Sequence, residues 1–121
     1  MSKTAEQVWQ AFMESMHKGN EDWHKLLAED IEFVGPAQQV KGKEDFIKLN
    51  IDFFKMVRGL DIVRHASSES LVATEAVLTV ETPKGGELVI NLAEFYQITD
   101  EKIQSVKIFY DPEEFKREFG M

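Results

Sequence analysis

Hydrophobic residues recur with helical spacing early in the chain and alternate with polar ones later. Val8, Trp9, Phe12, Met13 and Met16 fall on one stripe of period 3.6. The stripe is preceded by Thr4-Ala5-Glu6-Gln7, which has capping-box spacing, and followed by Gly19 where a left-handed C′ residue is wanted. Asn20 can cap a short second helix with apolar members Trp23, Leu26 and Leu27. A short strand over 31–34 is stopped by Gly35-Pro36, and 39–41 can pair with it. From 43 to 57 the apolar residues Phe46, Ile47, Leu49, Ile51, Phe53, Phe54, Met56 and Val57 cover more than one helical face. This predicts a third helix, ended by Gly59 and buried on more than one side.

The remainder reads as strands over 60–66, 71–82, 87–98 and 103–110. Their links, Ser67-Ser68-Glu69-Ser70, Pro83-Lys84-Gly85-Gly86 and Thr99-Asp100-Glu101-Lys102, are short enough to join antiparallel neighbours in a meander. Helices first and long strands after is the α+β order. Strands well beyond the usual five or six residues twist and coil, so the sheet acquires a concave face that the helices cover. A cover that does not seat fully leaves a cavity.

Composition narrows the partners. A hydrophobic content of 43% with 30% charged residues is that of a soluble globular chain. No apolar run reaches the roughly 20 residues that span a bilayer. The N-terminal run Met1 to Gln7 is not that of a signal peptide, and cysteine is absent, so a cytoplasmic location is expected. The net charge is −8 with Lys and Arg scattered, which argues against nucleic acid and against a polybasic membrane anchor. There is no H-x-x-x-H, no carboxylate cluster at ligand spacing, no Gly-rich phosphate loop and no nucleophile elbow. No metal and no cofactor is expected, and the ligand should be a small apolar molecule, neutral or weakly charged.

Three stretches carry a family resemblance: Ala28-Glu29-Asp30-Ile31-Glu32-Phe33-Val34-Gly35-Pro36, then Val40-Lys41-Gly42-Lys43 opening the long helix, then Lys102-Ile103-Gln104-Ser105-Val106-Lys107-Ile108-Phe109-Tyr110-Asp111. Together they resemble the SnoaL-like branch of the nuclear transport factor 2-like superfamily, which includes ketosteroid isomerase, limonene epoxide hydrolase and polyketide cyclases. The resemblance covers the whole chain and implies a single domain over 1–121. It implies a cone-shaped, curved antiparallel sheet covered by three N-terminal helices and enclosing a cavity. The helix-one tyrosine of ketosteroid isomerase falls at Phe12, its general-base aspartate at Gly35, and its second acid at Glu94. The acid in the last strand of the epoxide hydrolase falls near Ile108. One carboxyl therefore survives, and neither known constellation is complete. Because this fold hosts enzymes and binders alike, the resemblance points to fold more than to reaction.

Strand period 2 puts Leu88, Ile90, Leu92, Glu94 and Tyr96 on one face, which the resemblance makes concave. Glu94 there is a desolvated acid or base, and its alternative is a solvated glutamate paired with Arg58 or Arg64. Tyr96 and Tyr110 share the inward phase with Val106 and Ile108 and offer flat walls with one polar handle. Trp9, Phe12, Trp23, Phe46, Asn50 and Phe53 form the helix-side wall. Asp111-Pro112-Glu113-Glu114 reads as a helix start, with Asp111 as N-cap, Pro at N1 and Glu at N3. His65 lies on a strand with unassigned phase. The outward set Val89, Ala93, Phe95 and Phe109 is apolar, and a homodimer on that face is expected. Two functions follow. One is a cofactor-free isomerase, cyclase, dehydratase or hydrolase acting on an apolar, oxygen-bearing substrate, with Glu94 and Tyr96 as catalytic groups. The other is a non-catalytic ligand-binding or assembly module.

Overall fold

The computed structural model describes residues 3–121; Met1 and Ser2, which open the non-apolar N-terminal run, lie outside them. Helix α1, Ala5–Lys18, begins with the full capping box: the Gln7 amide donates to Thr4 Oγ1 at 3.1 Å, and the Thr4 amide donates to Gln7 Oε1 at 2.9 Å. It ends at Gly19, whose φ of 74° lets its amide reach the Met16 carbonyl at 3.1 Å while Asn20 reaches that of Ser15 at 3.3 Å. Asn20 Oδ1 then accepts from the Asp22 amide at 3.0 Å, and a 3₁₀ helix, Asp22–Leu26, follows. Leu27 is not helical. It opens strand β1, Leu27–Val34, which turns at Gly35 into β2, Gln39–Lys41.

Helix α2, Lys43–Phe54, is shorter than its apolar run predicts. The Glu81 amide binds the Met56 carbonyl at 2.7 Å and draws the chain into β3, Val57–Ser67, so Val57 pairs with Val80. Gly59 does not end the helix; it sits within β3 at a shift of register. Nor is α2 buried on more than one side. Of its residues only Phe46 is fully buried, and Ile51 and Phe54 remain 46% and 38% exposed. The excess apolar residues of α2 have another use: Leu49, Phe53 and Phe54 face a cavity.

Strands β4 (Leu71–Glu81), β5 (Glu87–Thr99) and β6 (Lys102–Phe109) continue the meander. Asp100 and Glu101, at φ 54° and 58°, make the two-residue turn between β5 and β6. The strand order is β2-β1-β6-β5-β4-β3. The sheet is mixed rather than antiparallel throughout, because β6 returns beside β1 in parallel. This order places β2 and β3 on opposite edges, with α2 as their link. The long strands β4 and β5 coil, and α1 and α2 cover the concave side of the sheet.

Two apolar clusters fill the fold. Val8, Trp9 and Phe12 of α1 pack with Trp23, Ile31, Phe46, Val72, Tyr96 and Val106. Ala76, Leu78, Val80, Leu88, Ile90 and Leu92 pack with Phe53, Met56, Tyr110, Phe115 and Phe119. The last two belong to α3, Glu113–Glu118, and the residue after it. Asp111 Oδ1 accepts from the Glu113 amide at 3.1 Å. The first helical carbonyl is that of Pro112, bonded by Lys116 at 2.8 Å, so the helix starts one residue later than Asp111 as N-cap implies.

Asp111→Ala should loosen α3 by about 1 kcal/mol. Amide exchange at Lys116 and Phe119 would then quicken about fivefold. Asp111→Ser, which can still accept the Glu113 amide, should restore most of the protection. Equal exchange in wild type and both variants would show that this contact holds nothing.

Candidate functional site: a carboxyl in an apolar cavity

A cavity of about 430 Å³ lies between the concave face of the sheet and the helices. Its floor is laid down by strand alternation. Leu78 on β4, Ile90, Leu92, Glu94 and Tyr96 on β5, and Val106 and Ile108 on β6 all point into it. Phe12, Met13 and Met16 of α1 and Phe46, Leu49, Asn50 and Phe53 of α2 form the opposite wall. Tyr110 and, from the C-terminal segment, Phe115, Phe119 and Met121 close one end.

Glu94 is the carboxyl set into that floor. Its neighbours across the ladder are Thr74 on β4 and Ile108 on β6. Thr74, itself buried, donates from Oγ1 to Glu94 Oε1 at 3.0 Å. Burial raises the Glu94 pKa above the usual glutamate value, against the opposing hydrogen bonds from Thr74 and Tyr96. No cation relieves this. Arg58 is paired with Glu81, Arg64 lies 2.6 Å from Glu75, and Glu94 has no ion-pair partner among the described residues. The solvated, arginine-paired alternative for Glu94 is thus not the observed one.

Tyr96, two residues on, is buried edge-on against Phe12 and Trp9, with ring centroids 6.0 and 6.5 Å away. Burial raises its pKa well above that of a free phenol. The charge of Glu94 and a hydrogen bond to it add to the rise, and the Trp9 N–H opposes it. Tyr96 therefore stays protonated and acts as a donor. Burial also raises Tyr110, which is half-exposed at the cavity end. One N–H of Asn50 Nδ2 is engaged by the Phe46 carbonyl at 2.8 Å, which leaves its amide oxygen and second N–H as the groups the cavity can use. Together these groups offer a ligand one carboxyl, one side-chain amide, the Tyr110 phenol and apolar surface.

The structure brings Phe12, Asn50, Phe53, Leu92, Glu94, Tyr96, Val106, Ile108 and Tyr110 to the cavity, as the strand and helix phases imply. Trp9 and Trp23 stand one layer behind it. Trp9 packs against His65 at 4.7 Å, and its buried Nε1 has no partner in bonding geometry. Trp23 packs edge-on to Phe12 and Phe54. His65 shares a rung with Thr74, but at the sheet edge, where Nε2 lies 3.1 Å from Glu6 Oε1; it is a clamp between α1 and β3 and not a cavity base. Sequence reasoning missed Met13, Met16 and Met56 as lining residues, and also Phe115 and Phe119. The i, i+4 spacing of Phe115 and Phe119 was the available signal. Among the described residues, no three His, Asp or Glu side chains gather as metal ligands, and no helix is long and apolar enough to cross a membrane.

Comparison with known proteins agrees with this architecture. An NTF2-like protein from Burkholderia pseudomallei superposes with a TM-score of 0.82 at 11% identity, covering 99% of this chain and 100% of the other. A candidate SnoaL-like polyketide cyclase from Mesorhizobium loti gives 0.74 at 17% identity, covering 89% and 100%. A candidate isomerase from Bacillus subtilis gives 0.75 at 19% identity, covering 96% and 92%. At these identities the likeness is one of fold. No curated protein matches the sequence. The model of the SnoaL-like domain matches residues 9–106, from the first helix through the strand that carries Val106, and the chain belongs to that family.

Proposed function

We propose that the cavity binds a small, neutral, oxygen-bearing apolar molecule and that Glu94 moves a proton on it. The observation that carries this reading is a carboxyl without an ion-pair partner among the described residues, partly buried among apolar side chains and bonded to the Thr74 hydroxyl. A raised pKa moves the acid–base equilibrium of such a group toward the working pH, which suits it to proton transfer. In a proton shift, the Glu94 carboxylate takes a proton from the carbon beside a carbonyl. The C–H electron pair moves toward the carbonyl oxygen, and the carboxyl returns the proton to the same or a neighbouring carbon. Isomerisation, cyclisation and dehydration share that step, and relatives of this fold described as candidate isomerases and cyclases are consistent with it.

A second reading is a ligand-binding module without turnover. It is favoured by the largely apolar lining, in which the donors Tyr110 and Asn50 Nδ2, the latter already bonded to the Phe46 carbonyl, stand on elements other than the strand of Glu94. Deuterium exchange at the α-carbon of methyl n-octyl ketone separates the two. The catalytic reading expects exchange by the wild type and a loss of about 100-fold or more in Glu94→Gln, with ketone affinity largely kept. Ketone that binds wild type without exchange above buffer supports the module.

Linkage supplies an independent expectation. A glutamate with a raised folded-state pKa costs stability as pH climbs from its unfolded value through its folded one, because the native state holds the extra proton. Glu94→Gln should therefore gain stability over wild type with rising pH in that window and level off above it. A stability difference that does not change with pH, measured by denaturant unfolding, would contradict a raised folded value.

We also propose a homodimer through the convex face. Val89 and Phe109 are 60% and 58% exposed there, and Phe95 is 37% exposed with its ring 5.7 Å from that of Phe109. A two-fold copy of this surface would cover it. Wild type should scatter light as a dimer, and Phe95→Glu with Phe109→Glu as a monomer. A wild-type monomer at high micromolar concentration refutes the assembly.

A further inference from the structure

We propose that the C-terminal helix is part of the ligand site and sets how long a ligand it accepts. The molecule would place an oxygen at Glu94 and end an apolar tail on Phe115 and Phe119. This rests on the reading of the cavity as a ligand site.

The two ends of the cavity differ: a carboxyl stands at one, and aromatic and aliphatic side chains dominate the other. Along β5 its floor runs Tyr96, Glu94, Leu92, Ile90. At the rise of an extended strand, Glu94 and Ile90 are roughly 13 Å apart. Around Ile90 the walls are Leu78, Met56, Phe115 and Phe119, and the one polar side chain packed beside them is the Tyr110 phenol. The other lining carboxyl, Asp52, is exposed and lies 3.6 Å from Lys55 Nζ. A ligand that reaches from Glu94 toward Ile90 therefore ends on mostly apolar surface, where a polar tail away from the Tyr110 hydroxyl would lose its water without replacement.

What stops the tail is α3. None of its residues is fully buried, so it is not a core element. Its inward contribution is aromatic: Phe115 stacks on Phe119 at 4.6 Å and meets Tyr110 edge-on at 5.9 Å. The wall is thus built from side chains outside the sheet core. Its position can be changed by substitution while Glu94, Thr74 and Tyr96 keep their surroundings.

The test uses methyl n-alkyl ketones of increasing chain length, read by displacement of Nile red from the full chain. In wild type, affinity should rise about fourfold per methylene, the increment for burying one CH₂. The rise should stop when the tail meets Phe119. Phe119→Ala should move that limit outward by roughly two to four methylenes, the space left when a deleted benzyl group is only partly filled by relaxation. Phe119→Trp should move it inward. Opposite shifts support the inference, since a general loss of stability would weaken every ketone alike. A limit that stays fixed in both variants, with ketones still bound, overturns it and leaves the cavity as a ligand site. Failure of every ketone to displace the dye from wild type overturns the ligand-site reading and this inference with it.

Discussion

The constraint that shapes this protein is the α2 crossover. β2 and β3 are the two edges of a six-stranded sheet, and one 12-residue helix joins them. That link lies across the concave side of the coiled sheet. It ties the two edges together and roofs the bowl. α2 seats fully at one position, Phe46, and leaves Leu49, Phe53 and Phe54 facing open space. The cavity is the volume that this incomplete seating leaves. Long, coiled β4 and β5 supply the floor, and their alternation decides which side chains enter it.

Within that floor, one rung departs from the apolar rule. Val72, Ala76, Leu78 and Val80 on β4 face Tyr96, Leu92, Ile90 and Leu88 on β5. The rung between them is Thr74 with Glu94, joined by a 3.0 Å hydrogen bond. An apolar pair there would fit the surrounding ladder and remove a desolvated carboxyl. A group that works against stability in a site accessible to small molecules is more readily explained by function than by folding. Tyr96 supports it from the same strand by donating toward the carboxyl while remaining protonated.

Local patterns made much of this legible. The capping box at Thr4, the Schellman end at Gly19 and the alternation of β4, β5 and β6 are short-range, and each appears where the residues place it. The inward phase of Glu94 follows from the same alternation. What was not legible depends on distant partners. The parallel pairing of β1 with β6 joins segments about 70 residues apart in sequence and has no local signature. The end of α2 was misread because Met56 and Val57 extend an apolar helical run, and only contact with β4 turns the chain at Met56 and starts a strand at Val57. Trp9 belongs to the α1 stripe that lines the cavity and Trp23 to the 3₁₀ helix after it, yet packing holds both one layer back. Phe115 and Phe119 were passed over because a short terminal helix has little pattern of its own until it docks.

The proposed proton transfer stands on Glu94 being a carboxyl whose pKa is raised above the ordinary glutamate value by desolvation. The most direct measurement is a carbon-13 NMR titration of its side-chain carboxyl, assigned by comparison with Glu94→Gln. The account predicts a midpoint clearly above that of a free glutamate, about 4.3. It also predicts a further rise in Thr74→Val, which removes the hydroxyl that stabilises the charged form. A midpoint at or below the free value would mean that the carboxyl is solvated or paired, and the buried acid on which the proposed proton transfer depends would not exist.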